Sequence, residues 1–376
     1  MNIKMNISNF NSYLLVDRGL IRKNVRFILG GLGSDATLIP VLKDNAYGLG
    51  LVPVAQTLCE FQEIRTIAVA HVSEGLELRE AGIDREILIM GGALPFQLEA
   101  AVRAELTLAC GHAGFVKELA AAAARMGKMA KGQLKIDTGL HRIGFEPEEL
   151  GALVEELQAC AEQVEITGAF SHFSDVADEA LNIKEFNIFI KALAYLEEYD
   201  VSIPMCHMAC SASSERWPQY NLDAVRCGRR LYMDRPDHPD GNIREAVSFR
   251  AFITQVKKRP AGEKLGYGGA VTLENDTLVA TVGVGYGDGL NQELFQIKAP
   301  VLIGGQRCKM LCCCMDQCMI DATGTDCKPG DEVTFFGYDA LGNFLSSQEI
   351  AAMVNHDEGC GLTSALSPRV KRIYTD

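Results

Sequence analysis

The chain has 376 residues and a formal net charge of −13, from 49 acidic and 36 basic side chains. The negative charge repels nucleic-acid phosphates and anionic membrane surfaces, so we expect neither nucleic acid nor a membrane as a partner. The first ten residues do not resemble a secretory signal, and no apolar run is long enough to span a bilayer. We therefore predict a cytoplasmic protein.

The first two thirds of the sequence alternate short apolar runs with amphipathic patterns of helical period, at residues 73–81, 113–124 and 146–161. The apolar runs lie at residues 38–42, 66–71, 87–90, 106–109, 133–137, 165–171, 205–209 and 224–227. Eight successive strand and helix units over about 200 residues are typical of a closed parallel barrel. We predict a (β/α)8 barrel of the TIM type over residues 1–243.

The pattern changes after about residue 242. Runs rich in β-branched residues follow one another between glycine turns, without a long helix, at residues 246–256, 277–284, 300–303, 310–314 and 332–336. This spacing predicts a mostly antiparallel β domain over residues 244–376, which could close into a small barrel. The predicted fold class is therefore α/β, with an N-terminal barrel and a C-terminal β domain.

Lys43 stands at the end of the first apolar run, and Tyr47, Gly48 and Gly50 follow shortly after it. An amine at the end of a barrel strand can form a Schiff base with a carbonyl cofactor, and a nearby tyrosine and glycine backbone can hold its phosphate. Taken alone, such a lysine is more commonly a surface residue at a turn. The surrounding residues favour the catalytic interpretation.

Polar side chains also close later apolar runs, where the catalytic groups of (β/α)8 enzymes lie. Taken singly, His172 could be a structural histidine, Arg226 a salt-bridge partner and Ser211 a helix N-cap. Their joint placement at the ends of three predicted strands is much less probable by chance. We therefore interpret them as parts of one site.

Eight ordered motifs resemble those of the alanine racemases, pyridoxal-phosphate enzymes with an N-terminal (β/α)8 barrel and a C-terminal β domain. They are VLKDNAYGLG at 41–50, KIDTG at 135–139 with Arg142, HF at 172–173, SA at 211–212, VRCG at 225–228, GYG at 266–268, VGYGDG at 284–289 and CMDQ at 314–317. The resemblance extends from about residue 38 to residue 374. It implies a pyridoxal-phosphate-dependent amino-acid racemase whose expected substrate is alanine.

The resemblance implies that Lys43 carries the cofactor and acts as one of two acid-base groups. Tyr267 is similar to the tyrosine that acts as the other, from the neighbouring subunit and the opposite face of the substrate. Two bases suit inversion, because one removes a proton from one face and the other returns a proton to the opposite face. His172 and Arg226 resemble the positive environment that lowers the pKa of this tyrosine. A homodimer with active sites at the interface is therefore expected.

The resemblance also assigns the cofactor and substrate contacts. The cofactor-binding set is Lys43, Tyr47, Arg142, His172, Ser211, Arg226, Gly228 and Arg229. Arg226 would face the pyridine nitrogen and leave it unprotonated. Arg142 would also bind the substrate carboxylate, and Lys135 matches a lysine that is carbamylated in many relatives to hold this arginine. Met315, through its backbone, and Tyr286 are the other implied substrate contacts, with Met315 supplied by the partner subunit.

Three of the departures from the usual pattern of this family bear on the choice of substrate. Pro368 stands where a tyrosine usually contacts phosphate and narrows the pocket to the size of alanine. Gln292 and Cys312 stand where two arginines often line the route into the site. These departures leave serine, or a broader set of amino acids, open as substrates.

Two other functions are known for barrels that bind this cofactor, and a cluster of cysteines raises the question of a metal site. A decarboxylase on the same kind of barrel is disfavoured, because the Gly-Glu-Pro-Gly-Arg and Cys-Glu-Ser-Gly-Asp strings of such relatives are absent. A non-catalytic pyridoxal-phosphate-binding protein on a lone barrel is disfavoured by the β domain that carries Tyr267 and Met315. The cysteines between Cys308 and Cys318 lack paired knuckles, and adjacent strand residues point to opposite faces, so we expect small buried thiols and no metal.

Overall fold

The computed structural model describes residues 7, 9–32, 36–233, 242–354 and 359–376. Contacts divide the chain into two compact units. We call Arg26–Ala46 with Leu51–Gly228 the barrel unit, and the described parts of Met1–Val25, Tyr47–Gly50 and Arg229–Asp376 the β unit.

The strands of the described residues are β1 (Ser12–Asp17), β2 (Thr37–Pro40), β3 (Thr66–Val69), β4 (Glu86–Ile89), β5 (Thr107–Cys110), β6 (Ala130–Lys135), β7 (Val164–Phe170), β8 (Cys206–His207), β9 (Ala224–Cys227), β10 (Val247–Arg259), β11 (Lys264–Leu265), β12 (Val271–Thr272), β13 (Thr277–Val282), β14 (Pro300–Ile303), β15 (Gln306–Cys313), β16 (Cys318–Asp321), β17 (Glu332–Tyr338), β18 (Phe344–Leu345) and β19 (Lys371–Thr375).

Apart from short 3-10 turns, the right-handed helices of the same residues are α1 (Arg18–Gly31), α2 (Leu51–Leu58), α3 (Val72–Glu80), α4 (Leu98–Arg103), α5 (Phe115–Met126), α6 (Leu150–Ala159), α7 (Glu179–Glu198), α8 (Ser211–Arg216), α9 (Glu293–Gln296), α10 (Ser347–Ala352) and α11 (Cys360–Ser364). Lys43–Tyr47 form a separate helical turn of unusual conformation. Among these described helices, none combines the length and apolarity needed to cross a bilayer.

Eight parallel strands close into a ring in the described part of the barrel unit. Strands β3 to β8 pair in chain order, and β2 pairs with β9. The ring is completed because Leu42 N donates to Ala68 O at 2.8 Å and Arg226 N donates to Ala209 O at 3.0 Å. All four residues of β3 and of β5 are buried, which explains why these strands are continuous apolar runs. The predicted (β/α)8 barrel is therefore confirmed, although the run at 205–209 contributes only the two residues of β8.

The β unit contains a sheet in the strand order β18-β17-β14-β15-β16-β13-β10-β1-β19. Because β17 also pairs with β10, the six strands from β17 round to β10 form a closed antiparallel ring. Phe249 and Phe335 are fully buried, and their ring centroids lie 5.3 Å apart. The predicted, mostly antiparallel β domain and its closure are confirmed.

Strand β1 belongs to the β unit, although it comes from the N-terminal part of the sequence. It pairs antiparallel with β10, where Leu14 is opposite Phe249, and parallel with β19, where Tyr13 is opposite Lys371. The sequence patterns predict neither β1 nor β19. The boundary between residues 243 and 244 stays a prediction, and residues 12–17 add a strand to the β sheet instead of the barrel.

Candidate active site

Lys43 lies just after the first barrel strand, and its side chain is exposed. The next four residues, Asp44 to Tyr47, all have positive φ, between 53° and 57°. Left-handed backbone costs roughly 1–2 kcal/mol per residue other than glycine, so other contacts must hold this turn. The Asn45 side chain supplies one, because its Oδ1 accepts a hydrogen bond from Leu51 N at 2.7 Å. The turn sets the direction in which the chain leaves Lys43.

Arg226 is the centre of a hydrogen-bond network inside the barrel, and it is only 4% exposed. Its Nη1 donates to Nδ1 and O of His207 at 2.6 and 3.1 Å. Its Nη2 donates to Ser171 O at 2.6 Å, Met208 O at 3.0 Å and His172 Nδ1 at 3.1 Å. Burial lowers the pKa of Arg226 to about 10, so it remains charged at neutral pH. The network holds a buried cation in a fixed orientation.

Both histidines of this network are neutral at neutral pH. Burial and, to a lesser degree, the charge of Arg226 lower the pKa of His172 to about 3, and they lower the pKa of His207 well below its usual range. Because Arg226 donates to Nδ1 of each ring, the proton of each ring lies on Nε2. The environment inferred from the sequence is therefore corrected in one respect. The positive charge comes from Arg226, whereas His172 offers a neutral N–H donor.

His207 and Gln133 belong to the network, and the sequence patterns did not single them out. Gln133 accepts from His207 Nε2 at 2.8 Å, and both side chains are fully buried. The His207 ring stacks on Phe170, with centroids 5.2 Å apart and planes 5° apart. The available signal was a histidine within the apolar run at 205–209, since a buried imidazole requires polar partners.

Lys135 ends strand β6 and is 3% exposed, with Nζ donating to Ile136 O at 2.7 Å. Burial and then repulsion by Arg226 lower its pKa to about 7, so much of the amine is neutral at physiological pH. The next loop is shaped by Asp137, which accepts from Gly139 N at 3.0 Å and His141 N at 3.1 Å. This loop carries the exposed Arg142, whose charge also lowers the pKa of both Lys135 and His172. The structure thus brings these four cationic or basic side chains together.

Ser211 and Gly228 meet at the ends of two neighbouring barrel strands. Ser211 Oγ accepts from Gly228 N at 3.2 Å and lies 3.2 Å from Cys227 Sγ. A hydroxyl and strand-end amides suit an oxyanion. The other two predicted phosphate contacts belong to the β unit. There the Tyr47 ring lies 5.8 Å from that of Tyr232, and Arg229 Nη1 donates to Gln348 Oε1 at 3.5 Å.

Three predicted site residues of the β unit are on its surface. Tyr267 is 84% exposed, Met315 58% and Tyr286 37%. Tyr267 begins a short turn flanked by Gly266 and Gly268, which have φ of 74° and 65°. Tyr286 N donates to Cys314 O at 3.1 Å, which joins the segments that carry Tyr286 and Met315. Such exposure of large side chains is compatible with an interaction surface.

The three positions that differ from the usual family residues have different environments. Pro368 and Gln292 are exposed. Cys312 is buried in a cluster with Leu265, Leu273, Val279 and Leu311. It follows a register shift in β15 between Met310 and Cys312, and its thiol lies 3.6 Å from Met319 Sδ. Cys312 is therefore a core residue of the β unit.

The neighbouring cysteines are thiols in apolar surroundings. Burial raises the pKa of Cys308 and Cys312 to about 11 and that of Cys313 to about 12. Cys318 is fully buried, and burial raises its pKa well above the usual range. In the part of the chain that the structure describes, no group of three or more His, Cys, Asp or Glu side chains is arranged to hold a metal ion.

Two family profiles and many individual proteins match this chain. The family described as "Alanine racemase, N-terminal domain" matches residues 16–236, and "Alanine racemase, C-terminal domain" matches residues 246–374. The alanine racemase of Desulforamulus reducens is 35% identical over 366 residues, which cover 94% of this chain and 96% of that protein. The structure of an alanine racemase from Clostridium difficile 630 is similar with a TM-score of 0.91 and 28% identity, over 98% of this chain and 96% of that one. An alanine racemase from Bartonella henselae with covalently bound pyridoxal phosphate has a similar fold, with a TM-score of 0.85 and 24% identity, over 97% of this chain and 99% of that one.

Proposed function

Because the chain belongs to the alanine racemase family, we propose that it interconverts L- and D-alanine, with Lys43 and the partner subunit's Tyr267 as the two proton carriers. The protein is a racemase that depends on pyridoxal phosphate. The observation that carries the site proposal is the cluster in the barrel. Lys43 follows one strand, and the buried Arg226 network with His172 lies at the ends of other strands of the same ring.

The barrel residues fit pyridoxal phosphate. The Ser211 hydroxyl and the Gly228 amide would bind its phosphate together with Tyr47 and Arg229, a set that contains no lysine to compete for the aldehyde. Both terminal nitrogens of Arg226 already donate to protein acceptors, so Nε is the donor left for a ring nitrogen. An arginine does not readily give up a proton, which would keep that nitrogen unprotonated. When bound, the cofactor supplies an electron sink that acidifies the Cα–H of the amino acid.

The proposed proton carriers approach Cα from opposite faces. Lys43 would hold or remove the proton on one face, and the partner subunit's Tyr267 would do so on the other, as inversion requires. The Nε2–H of neutral His172 and the charge of Arg226 would both favour the phenolate form of that tyrosine. Arg142 would bind the substrate carboxylate through its guanidinium.

Carbamylation of Lys135 is part of the same proposal. The support is its pKa of about 7, because a neutral amine is the form that reacts with carbon dioxide. A carbamate would place a negative charge beside the positive charges of Arg226 and Arg142, both of which lower the pKa of this lysine.

A homodimer with shared active sites completes the proposal. Its support is the exposure of Tyr267, Met315 and Tyr286, because a second copy of the chain would cover these side chains. In such a dimer, Met315 through its backbone and Tyr286 would contact the substrate in the partner's barrel. The cytoplasmic location stays a prediction.

A racemase for serine or for several amino acids is the second candidate. Pro368 is exposed and lacks the phenol of the tyrosine that narrows the pocket in relatives. The buried Cys312 and the exposed Gln292 provide no positive charge where relatives often have arginine. A wider pocket with a less positive approach would accept a side chain larger than a methyl group.

The test follows Cα exchange in deuterium oxide. The holoenzyme is incubated with single enantiomers of alanine, serine and other amino acids. The products are separated by chiral chromatography, and their masses are measured by mass spectrometry. We expect the opposite enantiomer of alanine with deuterium at Cα. Strict preference for alanine would eliminate the second candidate. Loss of the carboxylate, or an absence of exchange at Cα, would contradict racemisation.

A further inference from the structure

The guanidinium of Arg372 binds carbonyl groups of two separate segments of the β unit. Nε donates to Gly48 O at 2.8 Å. Nη1 donates to Ser367 O at 2.7 Å and Val370 O at 2.8 Å, and Nη2 donates to Leu366 O at 2.8 Å. The planar guanidinium presents its donors in a rigid fork, so these four bonds fix both segments to strand β19.

Tyr374 adds a second contact from the same strand. Successive strand side chains alternate between faces, so residues 372 and 374 project to the same side. Tyr374 Oη donates to Leu49 O at 2.9 Å. At Gly50, with φ of 108°, a Cβ would lie 1.9 Å from this hydroxyl oxygen, so only glycine permits the contact.

The strand that carries these two residues is itself anchored. Parallel pairing with β1 places Leu14 opposite Arg372 and Val16 opposite Tyr374. Asp376, just after β19, accepts from Arg18 at 2.8 Å. The contacts to Gly48 and Leu49 therefore connect the loop to the edge of a sheet.

The loop held in this way follows Lys43 directly. It begins at Tyr47, the last residue of the left-handed turn, and backbone of that kind persists only where surrounding contacts over-determine it. The other segment held by Arg372 includes Pro368, at the position of the pocket-narrowing tyrosine of relatives. Arg372 thus joins a proposed cofactor-binding loop to a proposed substrate-facing segment.

We infer that Arg372 and Tyr374 are positioning residues, which act through the loop at residues 47–50 to set the geometry of Lys43 and Tyr47. The inference rests on the proposed function, since that proposal gives Lys43 and Tyr47 their roles. Neither positioning residue is proposed to touch the substrate or the cofactor.

The first test compares Arg372→Lys with Arg250→Lys. Arg250 is a matched control, because it also binds a backbone carbonyl of the β unit, donating to Tyr338 O at 3.1 and 2.7 Å. Amide hydrogen exchange at residues 47–51 and the dissociation constant of the cofactor are measured on the holoenzymes. Because one ammonium cannot reproduce the four bonds, both quantities should rise about tenfold in Arg372→Lys and stay within about twofold in Arg250→Lys.

Tyr374→Phe is the second variant, and it removes a single hydroxyl. Its control is Tyr13→Phe, whose hydroxyl donates to Glu332 Oε1 at 2.5 Å. Exchange at residues 47–51 should rise about threefold in Tyr374→Phe only. The inference is overturned if Tyr374→Phe leaves exchange unchanged, or if a control accelerates it as much as its partner variant.

The exchange measurement also separates this inference from the proposed function. Borohydride treatment of the parent holoenzyme should attach the cofactor to the peptide that contains Lys43. If the label appears elsewhere, the proposed function fails. Exchange at residues 47–51 reads the contacts of Arg372 and Tyr374 directly and does not depend on that chemistry.

Discussion

The proposed site residues of the barrel and those of the β unit differ in how deeply they are buried within a single chain. Arg226 is 4% exposed, and five hydrogen bonds hold its terminal nitrogens. Tyr267 is 84% exposed between two glycines of positive φ. The strands of the closed barrel orient Arg226. The side chain of Tyr267 would be oriented only when a second subunit covers it. In the proposed mechanism, the barrel therefore prepares the positive environment of the tyrosine base in advance, whereas the tyrosine itself would be supplied by subunit assembly.

The largest expected effect tests this division between subunits. Lys43→Ala and Tyr267→Phe homodimers should each lose at least about 1000-fold in kcat, because each lacks one proton carrier. Heterodimers of the two variants, purified through two different tags, should recover about half of the parent activity, since one of their two sites is then complete. Racemisation is measured by chiral chromatography.

A heterodimer of parent and Lys43→Ala chains serves as the control for this mixing experiment. It should also show about half of the parent activity, because one site keeps both residues. If Lys43 and Tyr267 acted within the same chain, the heterodimer of the two variants would stay inactive. That result would contradict the proposal that the two bases come from different subunits.

The next effect concerns the barrel network. A lysine at position 226 cannot replace the fork of donors to His207, Ser171 and Met208, so we expect Arg226→Lys to lower kcat about 100-fold and the free energy of unfolding by about 3 kcal/mol. Urea unfolding and steady-state rates measure the two losses. Arg250→Lys, at a buried arginine of the β unit, should lose stability while kcat stays within about twofold. Equal kcat losses in both variants would contradict a special role of the barrel network.

A smaller effect is expected on the β-unit side of the site. Pro368→Tyr should lower the ratio of kcat/KM for serine to that for alanine by about tenfold, because a phenol would narrow the pocket. Pro368→Ala should leave this ratio within about twofold. An unchanged ratio in Pro368→Tyr would show that residue 368 does not set the substrate range.

The last prediction tests the neutral state of His172. Its pKa is about 3 in the folded protein and 6.5 ordinarily, so the unfolded chain binds more protons between these values. The free energy of unfolding should therefore rise with pH across this window and level off above it. His172→Gln removes the titrating group and should show a shallower rise in urea unfolding at a series of pH values. Identical slopes would contradict a lowered pKa at His172.

The barrel and its strand ends could be predicted from the sequence because parallel strands buried on both faces appear as continuous apolar runs. Polar residues that interrupt or follow such runs then locate Lys43, His172, Ser211 and Arg226. Helix limits were less accurate. The stretch predicted at 146–161 forms α6 at Leu150–Ala159, since hydrophobic periodicity does not specify where a helix is capped.

Other features depend on contacts that local sequence does not contain. The residues after Lys43 show no signal for a left-handed turn. Leu51 N donates to Asn45 within this turn, and Arg372 and Tyr374 bind the loop that follows it. His207 lies within an apolar run, and the hydrogen bond that its Nε2 donates to Gln133 Oε1 joins two strands that are distant in sequence. Strand β1 pairs with residues more than 200 positions away, so its short sequence did not reveal its sheet.

The pairing of β1 with β19 has a consequence for synthesis on the ribosome. Strand β1 emerges early, but its antiparallel neighbour β10 and its parallel neighbour β19 are translated much later. The strands between residues 37 and 227 can pair first, while β1 keeps unpaired edges that could recruit other chains. Because Arg372 and Tyr374 lie on β19, the loop after Lys43 acquires these contacts only after residue 374 has been added. The nascent chain is therefore expected to stay inactive until residue 374 has been translated.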